Sequence, residues 1–233
     1  MSGIARLHTI QTPRSCIAST VPPMSSPQLH RFTGHIAGAG TAEGTRLVLG
    51  CWTRTPHGPF ADVMVEDRNG HRILLAPDRW VADFVSATYT FDEVRLVPVS
   101  VSRTGLGRTG QWAVQAGPLE WRFRIGARAP LGHLLRLIPR PISRSLAFAQ
   151  LSDPIARATM PGVRTLGQAA PGRTEWYAAD DLHRLRGSTA IWEGQNLGGM
   201  REMVPPPRFG FSSTPRPPSL TAVTSTVRVD SEA

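Results

Sequence analysis

The stretch from Gly58 to Pro77, GPFADVMVEDRNGHRILLAP, constrains the fold more than any other. Ala61, Val63 and Val65 alternate with Asp62, Met64 and Glu66. A period of two belongs to a strand, whose side chains point to opposite faces in turn. Asn69-Gly70 follows, and the alternation resumes with His71, Ile73 and Leu75 against Arg72, Leu74 and Ala76. Asn and Gly tolerate the positive φ that tight hairpin turns demand, so the stretch reads as a β-hairpin.

The rest of the chain reads largely as further ribbons around a shared core. Gly44–Arg54 is the first expected strand, with Leu47, Leu49 and Cys51 on one face and Arg46, Val48 and Trp52 on the other. After the hairpin, Asp78 is an expected N-cap, and Trp80, Val81, Phe84, Val85 and Thr88 recur at helical spacing over residues 79–88. Asp92–Arg103 reads as a strand whose Pro98 marks an edge or bulge. Gln111–Ala116 and Leu119–Ile125 form a second ribbon across Gly117-Pro118, with Leu119, Trp121, Phe123 and Ile125 on its apolar face. From Leu131 the period turns helical, interrupted at Pro139 and Pro141. A helix is expected over Ser143–Leu151 and another after Asp153-Pro154, with Asp153 as its cap and proline in its first turn. Thr174–Ala178, Ser188–Glu193, Phe209–Ser213 and Thr221–Val229 read as closing strands.

The expected fold is thus α+β and β-dominated. It is an antiparallel barrel-like sheet of about eight to eleven strands, with a short helix after the first hairpin and a helical segment near residues 131–160. Residues 1–34, rich in Ser, Thr and Pro without periodicity, read as a disordered N-terminal extension. Residues 35–230 are the single β-rich domain, and 231–233 a frayed end. The acid-free start lacks the apolar core and cleavage pattern of a targeting peptide, and translation from Met24 instead of Met1 is an alternative start.

The net charge of +9 comes from arginine alone, for the chain has no lysine. Residues 1–42 carry Arg6, Arg14 and Arg31 without an acid; residues 121–152 carry Arg122, Arg124, Arg128, Arg136, Arg140 and Arg144, again without one. These two stretches hold the whole excess. The second has two readings: a surface that docks on anionic lipid or nucleic acid, or a solvated helix face. Missing lysines and missing interleaved aromatics in the helices favour the solvated face. Two cysteines, Cys16 and Cys51, make neither a disulfide framework nor a metal cluster, which suits a reduced, cytoplasmic protein. His35, His57, His71, His133 and His183 never pair at metal-ligand spacing, so no metal is expected. No phosphate loop, dinucleotide fingerprint, nucleophile elbow or HExxH segment occurs, and no cofactor is expected. Gly38, Gly40 and Gly44 read as flexible entry.

Two sets of residues carry more than one reading. Trp52, Trp112, Trp121, Trp176 and Trp192 fall in expected strands, where they either pack the core or line an apolar cavity. Asp62, Glu66, Asp92, Glu93, Glu175 and Glu193 lie in or beside strands. Any that turns inward becomes a perturbed, functional carboxyl; any that turns outward is ordinary surface.

Gly58-Pro59-Phe60-Ala61-Asp62, in a hairpin followed by Ala-Pro, a short helix and Tyr89, is similar to a GPY-x-E segment. It resembles the acetoacetate decarboxylase-like families over roughly residues 44–230. The resemblance implies a cone-shaped β-barrel around a small pocket, with Asp62 at the acid position. Phe60 and Asp62 both depart from the family's residues. Those decarboxylases use a lysine amine as Schiff-base nucleophile just after the short helix, where this chain has Thr88-Tyr89-Thr90-Phe91. Arginine stays protonated and offers no nucleophilic lone pair, so side-chain imine chemistry is excluded. A second likeness is to actinobacterial proteins and implies no function.

The leading expectation is a barrel that binds a small apolar or carboxylate-bearing ligand. Trp52, Tyr89 and Phe91 would line it, and Arg46, Asp62 and Glu93 would be its polar contacts. One alternative is a lyase or hydratase with Asp62 or Glu93 as general base. Another is a peripheral membrane or partner-docking protein acting through Arg128–Arg144. Apolar ribbons such as Leu119–Ile125 could also pair across a homo-oligomer interface.

Overall fold

The computed structural model describes residues 26–105 and 110–230. The hairpin is there: strands β3 (Phe60–Glu66) and β4 (Arg72–Ala76) pair antiparallel with Val63 opposite Leu75. Its turn is local chemistry. Gly70 takes a φ of 87°, and the Asp67 carboxylate accepts the backbone N–H of Asn69 (2.8 Å) and of His71 (2.9 Å). Helix α1 (Arg79–Ser86) follows, its first turn capped by Asp78 Oδ1 accepting from Val81 N–H at 2.9 Å.

The strands before the hairpin are β1 (Gln28–Thr41) and β2 (Arg46–Arg54). After α1 come β5 (Glu93–Leu96), β6 (Val99–Thr104), β7 (Gln111–Ala116) and β8 (Leu119–Arg128). Three helices follow: α2 (Pro130–Leu135), α3 (Arg140–Ser143) and α4 (Leu146–Thr159). The chain closes with β9 (Leu166–Ala170), β10 (Arg173–Trp192), the short β11 (Gln195–Asn196) and β12 (Met200–Arg201), and β13 (Ser219–Val229). All thirteen strands form one sheet, whose main path runs β5-β4-β3-β2-β1-β13-β10-β8-β7-β6.

The sheet curls because of one short link. β5 and β6 stand at opposite ends of that path, yet only Val97 and Pro98 separate them in sequence. The chain leaves one edge and enters the other, so the two edges come together. No ladder joins β5 to β6 among the described residues, and the result is a half-barrel. It is mixed, not wholly antiparallel: β4 and β5 run parallel, as a β-α-β crossover through α1 requires. Inside the curl, Leu47, Leu49, Val63 and Leu75 from one end of the path pack against Trp112, Trp121 and Phe123 from the other. The rings of Trp121 and Phe123 lie 4.8 Å apart, and this interior is filled with apolar side chains. The outer face of β1–β3, β10 and β13 is roofed by α1, by α2–α4 and by the segment 203–215.

Several expectations are corrected. Residues 28–34 are not disordered, since β1 begins at Gln28; residues 1–25 and 231–233 lie outside the description. Gly38 and Gly40 are strand residues. A Cβ at Gly38 would meet Thr214 Oγ1 at 2.3 Å, and one at Gly40 would meet the Glu202 carbonyl at 2.4 Å. Their bare backbone lets the 200–215 segment press against β1. The expected strand 92–103 splits at Pro98, which lacks the amide a continuous ladder needs. Asp153 caps no helix, because α4 runs through Pro154. The Asp153 carboxylate is taken instead by Arg164 (3.0 Å) and by the N–H of Thr165 (2.9 Å). Thr174–Ala178 and Ser188–Glu193 belong to one long strand, β10, and Phe209–Ser213 is not a strand. β8 is hydrogen-bonded on both sides, by β7 and β10, so the Leu119–Ile125 ribbon has no free edge for a second copy.

Candidate functional site

The outer face of the sheet carries a cavity of about 370 Å³. Its sheet wall presents Phe32, Trp52, Phe60 and Val223; its roof presents Leu135 and Phe148 from the helices. Three carboxyl-bearing or phenolic side chains that the sequence scatters widely, Asp62, Glu175 and Tyr89, line the same space.

Asp62 reaches the wall because of Gly50. The two residues face each other across β2 and β3, and Trp52 faces Phe60 in the same register. A Cβ on Gly50 would stand 2.5 Å from Asp62 Oδ1 and 2.7 Å from Trp52 Nε1. Glycine leaves the room in which Trp52 N–H donates to Asp62 Oδ1 at 3.1 Å. Asp62 is 1 % exposed, and its Oδ2 has no hydrogen-bond partner. Burial pushes this carboxyl up to about 7, and the Trp52 bond offsets only part of that. Near neutrality Asp62 therefore holds a proton much of the time.

Glu175 is equally buried but better served. Tyr89 O–H lies 2.9 and 2.8 Å from its two oxygens, and Ser225 O–H donates at 2.5 Å. The Tyr177 hydroxyl is 2.8 Å from that of Tyr89. Each hydroxyl has one proton, so Tyr89 and Ser225 donate to Glu175 while Tyr177 donates to Tyr89. Register builds this group: Tyr177 lies opposite Ser225 on β13, and Glu175 is two residues along the same face of β10. Tyr89 arrives from the end of α1, its N–H bonded to the Val85 carbonyl at 2.8 Å. Burial raises Glu175 above the usual carboxyl range despite the hydroxyl bonds, and burial with the Glu175 charge raises both phenols. Arg164 also lines the cavity, held by Asp153.

Of the residues singled out from sequence, Trp52, Asp62 and Tyr89 come together at this cavity; Arg46, Phe91 and Glu93 do not line it. Arg46 donates to Glu66 at 2.8 Å in a buried ion pair at the far end of β2 and β3. Phe91 packs on Phe209, ring centroids 5.7 Å apart. Glu93 lies at the exposed edge, bonded to Arg95 at 2.6 Å and to His71 at 3.3 Å. Of the acids left open by sequence, Asp62, Glu66 and Glu175 turn inward, while Asp92, Glu93 and Glu193 turn outward. Trp112 and Trp121 are core, not cavity. Tyr177 and Ser225 escaped the sequence reading. One signal was available: the chain has two tyrosines, and they join in one hydroxyl network on Glu175, Tyr89 directly and Tyr177 through Tyr89. Among the described residues no cluster of three or more His, Cys, Asp or Glu is arranged to hold a metal ion.

No family model matches the chain, and no curated protein does. Among solved structures, a protein from Nitrosomonas europaea provisionally assigned as AttH aligns with 89 % of this chain and 40 % of its own, at 12 % identity and a TM-score of 0.24. The chain thus spans about two fifths of that protein's length, and the likeness is too slight to carry fold or function.

Proposed function

We propose that the protein binds a small, largely apolar molecule in the cavity between the half-barrel and its helical roof, with Asp62 as the polar anchor. One observation carries this reading. A buried carboxyl with an unpartnered oxygen borders a largely apolar space of about 370 Å³. That volume falls within the range of small-molecule sites, and an unpaired buried polar group costs about 1–3 kcal/mol that a ligand could recover. The apolar half of the expected ligand is favoured over the carboxylate half. Two buried carboxyls border the space, Arg46 is spent on Glu66, and Arg164 on Asp153. The resemblance to the acetoacetate decarboxylase-like families enters through Gly58–Asp62, which brings Phe60 and Asp62 to the wall, while Tyr89 occupies the stretch of the missing amine.

Titration with the neutral fluorophore 1-N-phenylnaphthylamine tests it. Saturable binding is expected, weakened about tenfold or more by Val223→Phe, which fills the cavity. Absence of binding, or binding that ignores Val223→Phe in a folded variant, would remove the reading.

A second reading, acid–base chemistry on the bound molecule, is favoured by the Asp62 carboxyl lying near 7, where one group can both give and take a proton. Turnover with a pH midpoint near 7 that vanishes in Asp62→Asn would support it. Binding without turnover leaves the first reading alone.

A further inference from the structure

The helices that roof the cavity turn an apolar face to solvent. Nine large apolar side chains of the described residues are exposed, and five of them, Leu134, Leu137, Ile142, Leu151 and Ile155, fall within α2–α4 and their connections. Leu137 is 78 % exposed and Leu151 70 %. On α4, Ala147, Leu151, Ile155 and Ala158 recur at helical spacing, and all four are exposed. A helix on a globular surface ordinarily shows the reverse pattern, with its apolar stripe inward. Here the inward face is apolar too, since Leu135 and Phe148 line the cavity.

The charge on this face has one sign. Arg136, Arg140 and Arg157 are exposed among the apolar groups. Asp153 is the sole acid between residues 121 and 174; it is buried and bonded to Arg164. Asp180, half-buried behind the helices, stands 3.7 Å from Arg144 and 4.0 Å from Arg140. Exposed leucines beside arginines, with no exposed carboxylate in the segment, are the composition of a helix that lies in a lipid headgroup layer.

We propose that α2–α4 form a docking surface for an anionic lipid bilayer, with Leu134, Leu137, Ile142 and Leu151 in the acyl boundary and Arg136, Arg140 and Arg157 at the phosphates. A second copy of the chain fits this face poorly, because a two-fold contact sets the same exposed arginines against each other with no exposed carboxylate in the segment to offset them. Nucleic acid offers the leucines nothing. No described helix is long and apolar enough to cross a membrane. The surface does not depend on the cavity reading.

Flotation of the full chain with vesicles of phosphatidylcholine alone, or with about one third phosphatidylglycerol, tests this at about 0.1 and 0.5 M salt. The protein is expected to float with the anionic vesicles, about tenfold less with neutral ones, and less at high salt. Leu134→Ser/Leu137→Ser is expected to cut flotation about tenfold while melting temperature and fluorophore binding stay as they were. Arg136→Gln/Arg140→Gln is expected to erase the preference for anionic lipid. Failure to float, or flotation that ignores both double variants, would overturn the proposal. So would a dimer in sedimentation equilibrium that Leu134→Ser/Leu137→Ser abolishes, since a second copy would then own the face. Flotation without fluorophore binding would keep this surface and remove the cavity reading.

Discussion

Asp62 and Glu66 lie four residues apart on one strand, point to the same face, and are each 1 % exposed. Their surroundings differ in every other respect. Glu66 meets the Arg46 guanidinium at 2.8 Å and the Arg208 N–H at 2.7 Å. Asp62 meets one indole N–H at 3.1 Å, and its second oxygen meets nothing. Burial costs a carboxylate several kcal/mol, and the two residues answer that cost in opposite ways. Glu66 is paired on both oxygens, which ties the hairpin to β2 and to the loop at Arg208. Asp62 keeps a proton instead and leaves an oxygen free beside a cavity. A buried acid that is fully paired is structural; a buried acid left short of partners is available.

The largest effect is expected at the paired end. Arg46→Met strands Glu66 in the interior and should cost about 3–5 kcal/mol in denaturant unfolding, largely restored by adding Glu66→Leu. A loss under about 1 kcal/mol would break the contrast.

At the unpaired end the sign follows pH. The folded carboxyl near 7 lies above the unfolded value, so the folded state holds the extra proton. The stability this contributes is full below about pH 4 and is lost as pH rises through 7, a change of up to about 4 kcal/mol. Asp62→Asn cannot ionise. It should match wild type near pH 4 and exceed it by a few kcal/mol at pH 8.5, measured by thermal melts across pH. Glu175, raised as well, leaves a residual slope of the same sign. A flat wild-type profile would make Asp62 an ordinary acid.

Smaller changes sharpen the comparison. Gly50→Ala forces a methyl against Asp62 and Trp52 and should cost about 1–3 kcal/mol, with fluorophore binding altered. Trp52→Phe removes the side-chain bond that favours the ionised form. It should cost about 1 kcal/mol and move the midpoint of the pH profile upward.

The same contrast marks what was legible in the sequence. The alternation in β3 was readable, and Ala61, Val63 and Val65 do face the core. The other face was read as open between surface and site, because alternation reports a period and not what covers each side. Both ends of that face are buried, one under Arg208 and its neighbours, the other under α1 and α2–α4. The Leu134–Ile155 helices were legible as apolar runs, but a sequence cannot say that both faces of α4 are apolar for different reasons.

What the sequence determined by itself is what residues within about four positions of each other decide. The Asn69-Gly70 turn, with Asp67 accepting two amides, is of this kind, as are the Asp78 cap and the β7–β8 ribbon across Gly117-Pro118. Composition settled one point of chemistry, since a chain without lysine makes no side-chain imine. Only the tertiary structure decided that β13 lies between β1 and β10, and with it that Ser225, Glu175, Tyr177 and Tyr89 meet. It also decided that Arg46 serves Glu66 and not a ligand, and that Asp62 is left without an ion partner. Strand order is set by pairings between residues up to about two hundred positions apart, and local preference carries no record of them. Burial follows from that order, and burial is what separates a surface acid from a site.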